Sequence, residues 1–365
     1  MTESKKTPFY NIHIDAGAKM VDFAGYKMPI QYKSITAEHL RVRETVGAFD
    51  LSHMGEFFVS GGKALDFLQM MTVNDVSALE EYQVQYTAMC YPDGGIVDDL
   101  LVYRLPDKYM LVVNAANIDK DFAWLEEHLI DNVTLHNASD DFGLIAIQGP
   151  DAQKVMEKMT DINLDDIQFY YSAEGDVAGH KMIFSRTGYT GEDGFELYIK
   201  PDICPELWEA AMKSGAEFDI EPIGLGARDS LRLEMKYALY GNDIDQTTNP
   251  IEAGLGWICK PEKGDFIGRD AVVRMKEEKP PRKLVCFELQ ERGIPRHGYK
   301  ILNDEKEIGD VTSGIFSPSL QKGIGLGYVP RKLSKSGREI QIEIRNKPTP
   351  ATIVKPPFYK DGTHR

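Results

Sequence analysis

The sequence predicts an α+β protein that ends in a small β-barrel. Three observations lead there. Helix-spaced and strand-spaced apolar patterns alternate through the first three-quarters of the chain. Pro92-Asp-Gly-Gly95 separates two strand-like runs, a strong hairpin signal. Beyond Lys279-Pro-Pro-Arg282 the helical spacing stops, and short β-type runs follow with Gly and Pro between them.

The elements follow in order. Ser34 is placed to cap a helix running to Val46. Gly55 to Ser60 reads as a strand and Lys63 to Met70 as a short helix. Val84–Cys90 and Ile96–Arg104 are the hairpin strands, and a turn at Leu105-Pro-Asp-Lys108 extends them through Tyr109–Asn114 into a meander. Asn117 is placed to cap a helix whose stripe is Ile118, Phe122, Leu125 and Leu129. Gly143–Ile147 is a strand ended by Gly149-Pro150, and Met182–Ser185 and Phe195–Ile199 flank a Gly-rich loop. Glu206–Lys213 and Leu225–Met235 read as helices. In the last quarter, Leu284–Leu289, Tyr299–Leu302, Gly325–Val329, Glu339–Ile344 and Ala351–Val354 are the barrel strands. The domain boundary falls near residue 280, dividing 1–280 from 281–365.

Composition narrows the function. A length of 365 residues fits two to three domains at roughly 150 residues each. With 42% hydrophobic and 27% charged residues, a disordered, collagen-like or coiled-coil chain is excluded. The net charge, 42 − 57 = −15, disfavours general nucleic-acid binding. No apolar run reaches the roughly 18 residues of a membrane span, and the first residues lack the apolar core of a signal peptide. A cytoplasmic protein is expected. Cys90, Cys204, Cys259 and Cys286 form no close pair, and the histidines are scattered, so neither a disulfide framework nor a metal centre is expected. Nucleotide-phosphate loops of the GxGxxG or GxxxxGK[ST] type are absent.

Three segments carry possible chemistry. In Gly94-Gly-Ile-Val-Asp-Asp-Leu-Leu-Val-Tyr103, strand alternation puts Asp98 on one face and Asp99 on the other, each interrupting an apolar row. A carboxylate in such a row requires a partner, water or a ligand. The alternative is that the strand begins after Asp99 and both acids are solvated. Periodicity does not say which aspartate matters.

The second segment is Ser185-Arg-Thr-Gly-Tyr-Thr-Gly-Glu-Asp-Gly-Phe-Glu-Leu197. Its glycines let backbone approach a flat ligand, and Tyr189 offers an aromatic face. Glu196 lies opposite Phe195, Leu197 and Ile199 on its strand, and its carboxylate can accept two parallel N–H bonds from a ring edge such as a pterin or guanine presents. An exposed Glu on a surface hairpin is the plainer alternative. The third segment, Gly224-Leu-Gly-Ala-Arg-Asp-Ser-Leu-Arg-Leu-Glu234, sets Arg228 and Arg232 one turn apart. Either can hold a carboxylate such as Glu196, and a structural salt bridge explains them equally well. His53 reads as structural, Cys90 as a buried small residue and the individual tyrosines as core or half-buried strand residues.

Together these segments resemble the glycine cleavage T-protein family of aminomethyltransferases. The matching text includes Gly17-Ala-Lys-Met-Val-Asp-Phe-Ala-Gly25, Phe49-Asp-Leu-Ser-His-Met-Gly55 and Gly94-Gly-Ile-Val-Asp-Asp-Leu100. It continues with Ser185 through Glu196, Gly224-Leu-Gly-Ala-Arg-Asp229, Asn249-Pro-Ile-Glu-Ala-Gly-Leu-Gly-Trp257 and Thr312-Ser-Gly-Ile-Phe-Ser-Pro318. Each motif is modest alone; the ordered set is specific and spans nearly the whole chain.

The resemblance implies a three-domain cloverleaf around a central hole. Two interleaved mixed α/β domains with antiparallel sheets form residues 1–280, and the C-terminal β-barrel completes it. It implies tetrahydrofolate as co-substrate, no metal and no nucleotide, and lipoylated H-protein of the glycine cleavage system as partner. The products would be 5,10-methylene-tetrahydrofolate, ammonia and dihydrolipoyl H-protein. Neither nucleic acid nor membrane is implied. Asp99 resembles the family's essential aspartate and would work ionised, accepting a hydrogen bond from the attacking folate nitrogen. Glu196 would read the pterin edge and Arg228 would balance charge. Tyr86, Tyr103, Asn114, Tyr170, Tyr189 and Tyr237 would line the folate pocket, with Met54 and Trp257 nearby and Arg365 reaching it from the tail.

Two relatives of the same fold fit less well. The folate domain of dimethylglycine and sarcosine dehydrogenases comes with a flavin domain, for which this chain has neither fingerprint nor length. The folate-binding relatives that assist iron–sulfur proteins or tRNA modification carry a Lys-Gly-Cys motif where this chain has Thr187-Gly-Tyr-Thr-Gly-Glu192.

Overall fold

The computed structural model describes residues 3–364; Arg365, expected near the folate pocket, lies outside them. Strand alternation produces two large sheets. The five-stranded sheet runs Val84–Cys90, Ile96–Arg104, Tyr109–Val113, Gly55–Ser60, Thr134–Asn137. The six-stranded sheet runs Ser172–Val177, His180–Ser185, Gly194–Ile199, Gly143–Gln148, Gly47–Asp50, Glu221–Ile223. The chain enters the second sheet at Gly47, leaves it to build the first, and returns at Gly143. Two mixed α/β layers are therefore interleaved, with mostly antiparallel pairing.

Apolar burial holds the layers together. Phe49, Leu51, Tyr103, Met110, Tyr198 and Leu231 form a core shared by both sheets. Helices Ala64–Met71 and Ile118–Glu127 cover the outer face of the five-stranded sheet, and Ala152–Met156 and Cys204–Ser214 that of the six-stranded one. Each fully buried Leu or Phe contributes about 1.5–3 kcal/mol.

The barrel closes in the order Arg282–Leu289, Lys322–Pro330, Lys306–Ser317, Lys300–Asn303, Glu339–Ile344, Lys347–Val354, the last pairing back to the first. Val285, Phe287, Ile301, Val311, Ile342 and Ile353 fill it. Closure leaves no open edge.

Ser34 caps its helix as expected, its hydroxyl accepting the Ala37 N–H at 3.1 Å. Asn117 does not cap the helix that follows it. Its amide instead donates to Asp98, and Leu129 lies beyond the helix, 41% exposed. The long strand Lys306–Ser317 was not anticipated: charge and two glycines mask its alternation, and its register shifts at Val311/Ser313.

Helix Leu225–Glu234 joins barrel, sheets and site. Arg232 donates to Asp243 Oδ2 at 2.7 Å and to Ser313 Oγ of the barrel at 2.9 Å. Glu234 accepts from Arg43 Nη2 at 2.9 Å and from the barrel hydroxyls of Ser317 and Ser319. Arg43 also donates to Glu192 Oε1 at 2.7 Å. The tail ends on this junction: the Thr363 hydroxyl donates to Glu192 and accepts the Asp193 N–H, and His364 stacks on Phe169 at 4.9 Å. At Gly362 a Cβ would stand 2.4 Å from the carbonyl oxygen of Gly191, so the tail crosses the Gly-rich loop where only glycine fits.

Candidate active site

Both aspartates lie inside the strand Ile96–Arg104, so they are not solvated turn residues. Leu100 and Val102 share the helix-covered face with Asp98; Leu101 and Tyr103 share the other face, toward the common core, with Asp99. Asp98 is fully buried. It accepts from the Asn114 backbone N–H at 3.1 Å, the Asn114 amide at 2.9 Å and the Asn117 amide at 2.7 Å.

Asp99 is only partly covered. One oxygen accepts the Tyr86 hydroxyl at 2.8 Å and the other the Asn114 amide at 2.9 Å. Asn114 thus bridges the two acids. Burial and the negative charge of Asp98 push the Asp99 carboxyl up to about 7, against the hydrogen bonds from Tyr86 and Asn114. A permanently ionised carboxylate was expected; the geometry gives one that is populated in both forms near neutral pH, because its donors do not offset the loss of water and the neighbouring anion.

Glu196 faces the common core beside Tyr198, with Phe195, Leu197 and Ile199 on the other face of the strand. It accepts the Thr187 hydroxyl. Burial raises its pKa, and Thr187 and the Arg228 charge oppose the rise. The choice between two arginines is resolved: Arg232 is committed to Asp243, Asp229, Ser313 and the Tyr237 carbonyl. The Arg228 guanidinium has no hydrogen-bond or ion-pair partner among the described residues and lies 4.7 Å over the Tyr189 ring. Tyr189 stacks on Tyr237 at 5.5 Å and 23°, and its hydroxyl donates to the Ala238 carbonyl.

Tyr170 is half-buried and near Tyr237, Tyr103, Glu196 and Asp99; burial above all, and then these neighbours, keep its phenol protonated. Trp257 is 63% exposed and stacks on Tyr86 at 6.0 Å. Met54 is half-buried against the common core.

Tyr103 departs from expectation. It is fully buried, and its hydroxyl joins Tyr198 at 2.7 Å and Ser185 at 3.1 Å. It braces the floor beneath Thr187 and Glu196 instead of presenting a surface, because its strand position points into the shared core. Thr187 is not a candidate site residue from sequence, and Asn117 is read there only as a helix cap. Thr187 lies in the Gly-rich segment, nine residues before Glu196, and that strand-turn-strand spacing is the only local sign of it. Nothing local marks Asn117.

His53 is buried, with Nδ1 unpartnered among the described residues; burial first, then the Arg228 charge, hold its pKa down to about 4. It is therefore neutral near pH 7. Among the described residues no three His, Cys, Asp or Glu side chains group as metal ligands. No described helix is long and apolar enough to cross a membrane.

A carboxyl poised near neutrality, stacked tyrosines and an unpaired guanidinium suit a group transferase that orients a flat co-substrate. Comparison with known proteins specifies the class. Residues 9–263 match the GCVT N-terminal domain, and residues 282–360 match the glycine cleavage T-protein C-terminal barrel domain. An aminomethyltransferase of Bacteroides fragilis is 54% identical over 360 residues, covering 98% of this chain and 100% of that one. One of Halothermothrix orenii is 50% identical over 355 residues, covering 97% and 99%. The crystal structure of glycine cleavage system aminomethyltransferase T from Bartonella henselae superposes with a TM-score of 0.93 at 35% identity, covering 99% of both chains. The chain belongs to the glycine cleavage T-protein family. It is an aminomethyltransferase, an enzyme that transfers a one-carbon unit using tetrahydrofolate.

Proposed function

We propose that Asp99 is the reacting carboxyl in transfer of the aminomethyl carbon from lipoylated H-protein to tetrahydrofolate. The carrier arrives as a lipoyl thioether, S–CH2–NH2. Its C–N and C–S bonds break, and the carbon bonds to N5 and N10 of the folate. One folate N–H proton leaves with ammonia and the other with the dihydrolipoyl thiol, so atoms and charge balance. Asp99 accepts the hydrogen bond of the attacking nitrogen and offsets the positive charge that develops as ammonia leaves.

The observation that carries this reading is Asp99 itself, gripped by Tyr86 and Asn114 with its carboxyl near 7. General acid–base groups are most effective when their pKa lies near the working pH. Glu196 reads the pterin edge, held ready by Thr187, and Arg228 offers its free guanidinium to the folate's anionic end or to Glu196. Tyr86, Tyr170, Tyr189 and Tyr237 supply aromatic walls, Met54 and Trp257 border them, and Tyr103 braces the floor. The catalytic region is taken as 1–280 and the barrel as 281–365. No metal, nucleotide or nucleic acid enters this scheme. The setting is cytoplasmic, which suits four buried free thiols.

The test mixes the protein with tetrahydrofolate and aminomethyl-lipoyl H-protein and follows methylene-tetrahydrofolate and ammonia together. The expected result is folate-dependent appearance of both in equal amounts. Folate binding without turnover would overturn the reaction proposed, and absence of folate binding would overturn the site.

A further inference from the structure

Behind Asp99, on the side away from the common core, lies a second acid that the scheme above does not use. Asp121 is on helix Ile118–Glu127, which covers the Asp98 face of the sheet. It is fully buried, and neither of its oxygens has a hydrogen-bond donor among the described residues. The nearest cation, Lys120, stands 3.8 Å from Oδ1 and directs its ammonium to the Val97 carbonyl and the face of Tyr240. Asp98, on the sheet face that this helix covers, is the acid whose charge bears most on Asp121. Asp99, Tyr91 from the hairpin and Tyr240 from the loop after helix Leu225–Glu234 are the other titratable groups that face it.

The charges decide where a proton sits. Asp98 and Asp121, both fully buried, and the partly covered Asp99 face one ammonium, that of Lys120. Two neighbouring buried carboxylates do not both ionise in such a place. Asp98 already accepts three N–H donors, which favour its anion. Asp121 accepts none. We infer that Asp121 is a positioning residue that stays protonated and donates a hydrogen bond to Asp98, which through Asn114 fixes the orientation of Asp99. Burial and then the Asp98 charge push the Asp121 carboxyl up to about 11, in the same sense as the geometry.

The arrangement has a consequence for Asp99, and this part rests on the reading of Asp99 as the reacting carboxyl. The proton on Asp121 lets Asp98 remain an anion, and that anion raises Asp99 toward neutrality. Without the donor, Asp98 takes up a proton itself. Asn114 then loses one of its two anionic acceptors, and Asp99 loses its negative neighbour.

Two measurements test this on the intact protein. The first is an infrared difference spectrum, wild type minus Asp121→Asn, at pH 9, where Asp99 is ionised. The expected result is a protonated-carboxyl carbonyl band present in wild type and missing in the variant; absence of that difference overturns the inference. The second is the pH profile of kcat. Asp121→Leu is expected to move the acidic limb down by about one pH unit, and Asp121→Asn, which still donates a neutral hydrogen bond, to restore its position. Equal displacement by both variants overturns the positioning role. If Asp121→Leu does not fold, the infrared result and the Asp121→Asn limb decide alone. Full turnover by Asp99→Asn would instead sink the reading of Asp99 and leave the infrared result standing.

Discussion

The molecule buries charge in two places and builds them in opposite ways. At the barrel junction each buried anion reaches an arginine: Glu234 and Glu192 meet Arg43, and Asp243 meets Arg232. Burial alone would raise the Glu234 carboxyl, but hydrogen bonds and charge from His39 and Arg43, with the Ser317 hydroxyl, bring it down to about 2. Under the site, three aspartates share one lysine, and two of them rise to about 7 and about 11. Paired charge fixes the relative position of barrel and sheets. Unpaired charge leaves a proton that can move at neutral pH. Glu234 and Asp121 are both fully buried, yet one meets an arginine and the other does not, so partner supply separates the strut from the protonated acid.

The comparison breaks most sharply at Asp99. Asp99→Asn keeps the shape and removes the titrating group, so turnover should fall about 10²–10⁴-fold while tetrahydrofolate affinity, read by calorimetry, changes little. An equal loss of affinity would make Asp99 a binding group. The same variant has a stability signature. Folded Asp99 is raised above its ordinary value of 3.8, so between pH 3.8 and about 7 the folded state holds the extra proton. Its contribution is fully present below 3.8 and is lost as pH rises through 7. Urea unfolding of Asp99→Asn should therefore lack a decline that wild type shows over that window.

The junction makes the opposite prediction. Arg43→Met leaves Glu234 and Glu192 without their shared cation and should cost about 3–5 kcal/mol of unfolding free energy in urea. In wild type the depressed Glu234 carboxyl stabilises the fold above pH 4.5, and that contribution is lost as pH falls toward 2. In the variant, loss on acidification should begin at higher pH, measured as melting temperature against pH. An unchanged acid limb would mean that Arg43 does not hold the Glu234 charge at the junction.

How much of this contrast could be read from sequence follows from the range of the interactions. The hairpin strands Val84–Cys90 and Ile96–Arg104 were legible to the residue because the turn that joins them is local. The closed barrel was legible as a change of texture, but its longest strand was hidden by its own glycines and charges. Asp98 and Asp99 announced themselves by interrupting apolar rows. Which of them faces the site, and in what charge state, depends on Tyr86, Asn114, Asn117 and Asp121, which arrive from other strands and a helix. Arg228 and Arg232 share a helix face, and only the folded positions of Asp243 and Ser313 assign one to the junction and leave the other free.

A smaller effect sharpens the electrostatic side. The rate kcat/KM should rise with pH through about 7 as Asp99 ionises. Asp98→Asn removes the nearby anion that raises Asp99, so the rise should move to lower pH by on the order of one unit. Movement in the other direction would mean that Asp98 acts on Asp99 mainly through Asn114 and not through its charge.

The smallest change belongs to Tyr86, and it isolates a single hydrogen bond. Tyr86→Phe keeps the ring that stacks under Trp257 and deletes the hydroxyl that donates to Asp99 at 2.8 Å. That donor favours the ionised carboxyl, so its loss should move the acidic limb of kcat/KM upward. A hydrogen bond to a charged group contributes about 1.5–3 kcal/mol, but Asn114 remains and water enters beside the half-covered carboxyl, so a shift of about one unit or less is expected. Well above the limb, where Asp99 is ionised in both proteins, the two rates should converge. If they stay apart by a constant factor at every pH, the Tyr86 hydroxyl orients Asp99 or its substrate. If they converge, it tunes only the proton, and the site differs from the junction in having one donor fewer than full ionisation requires.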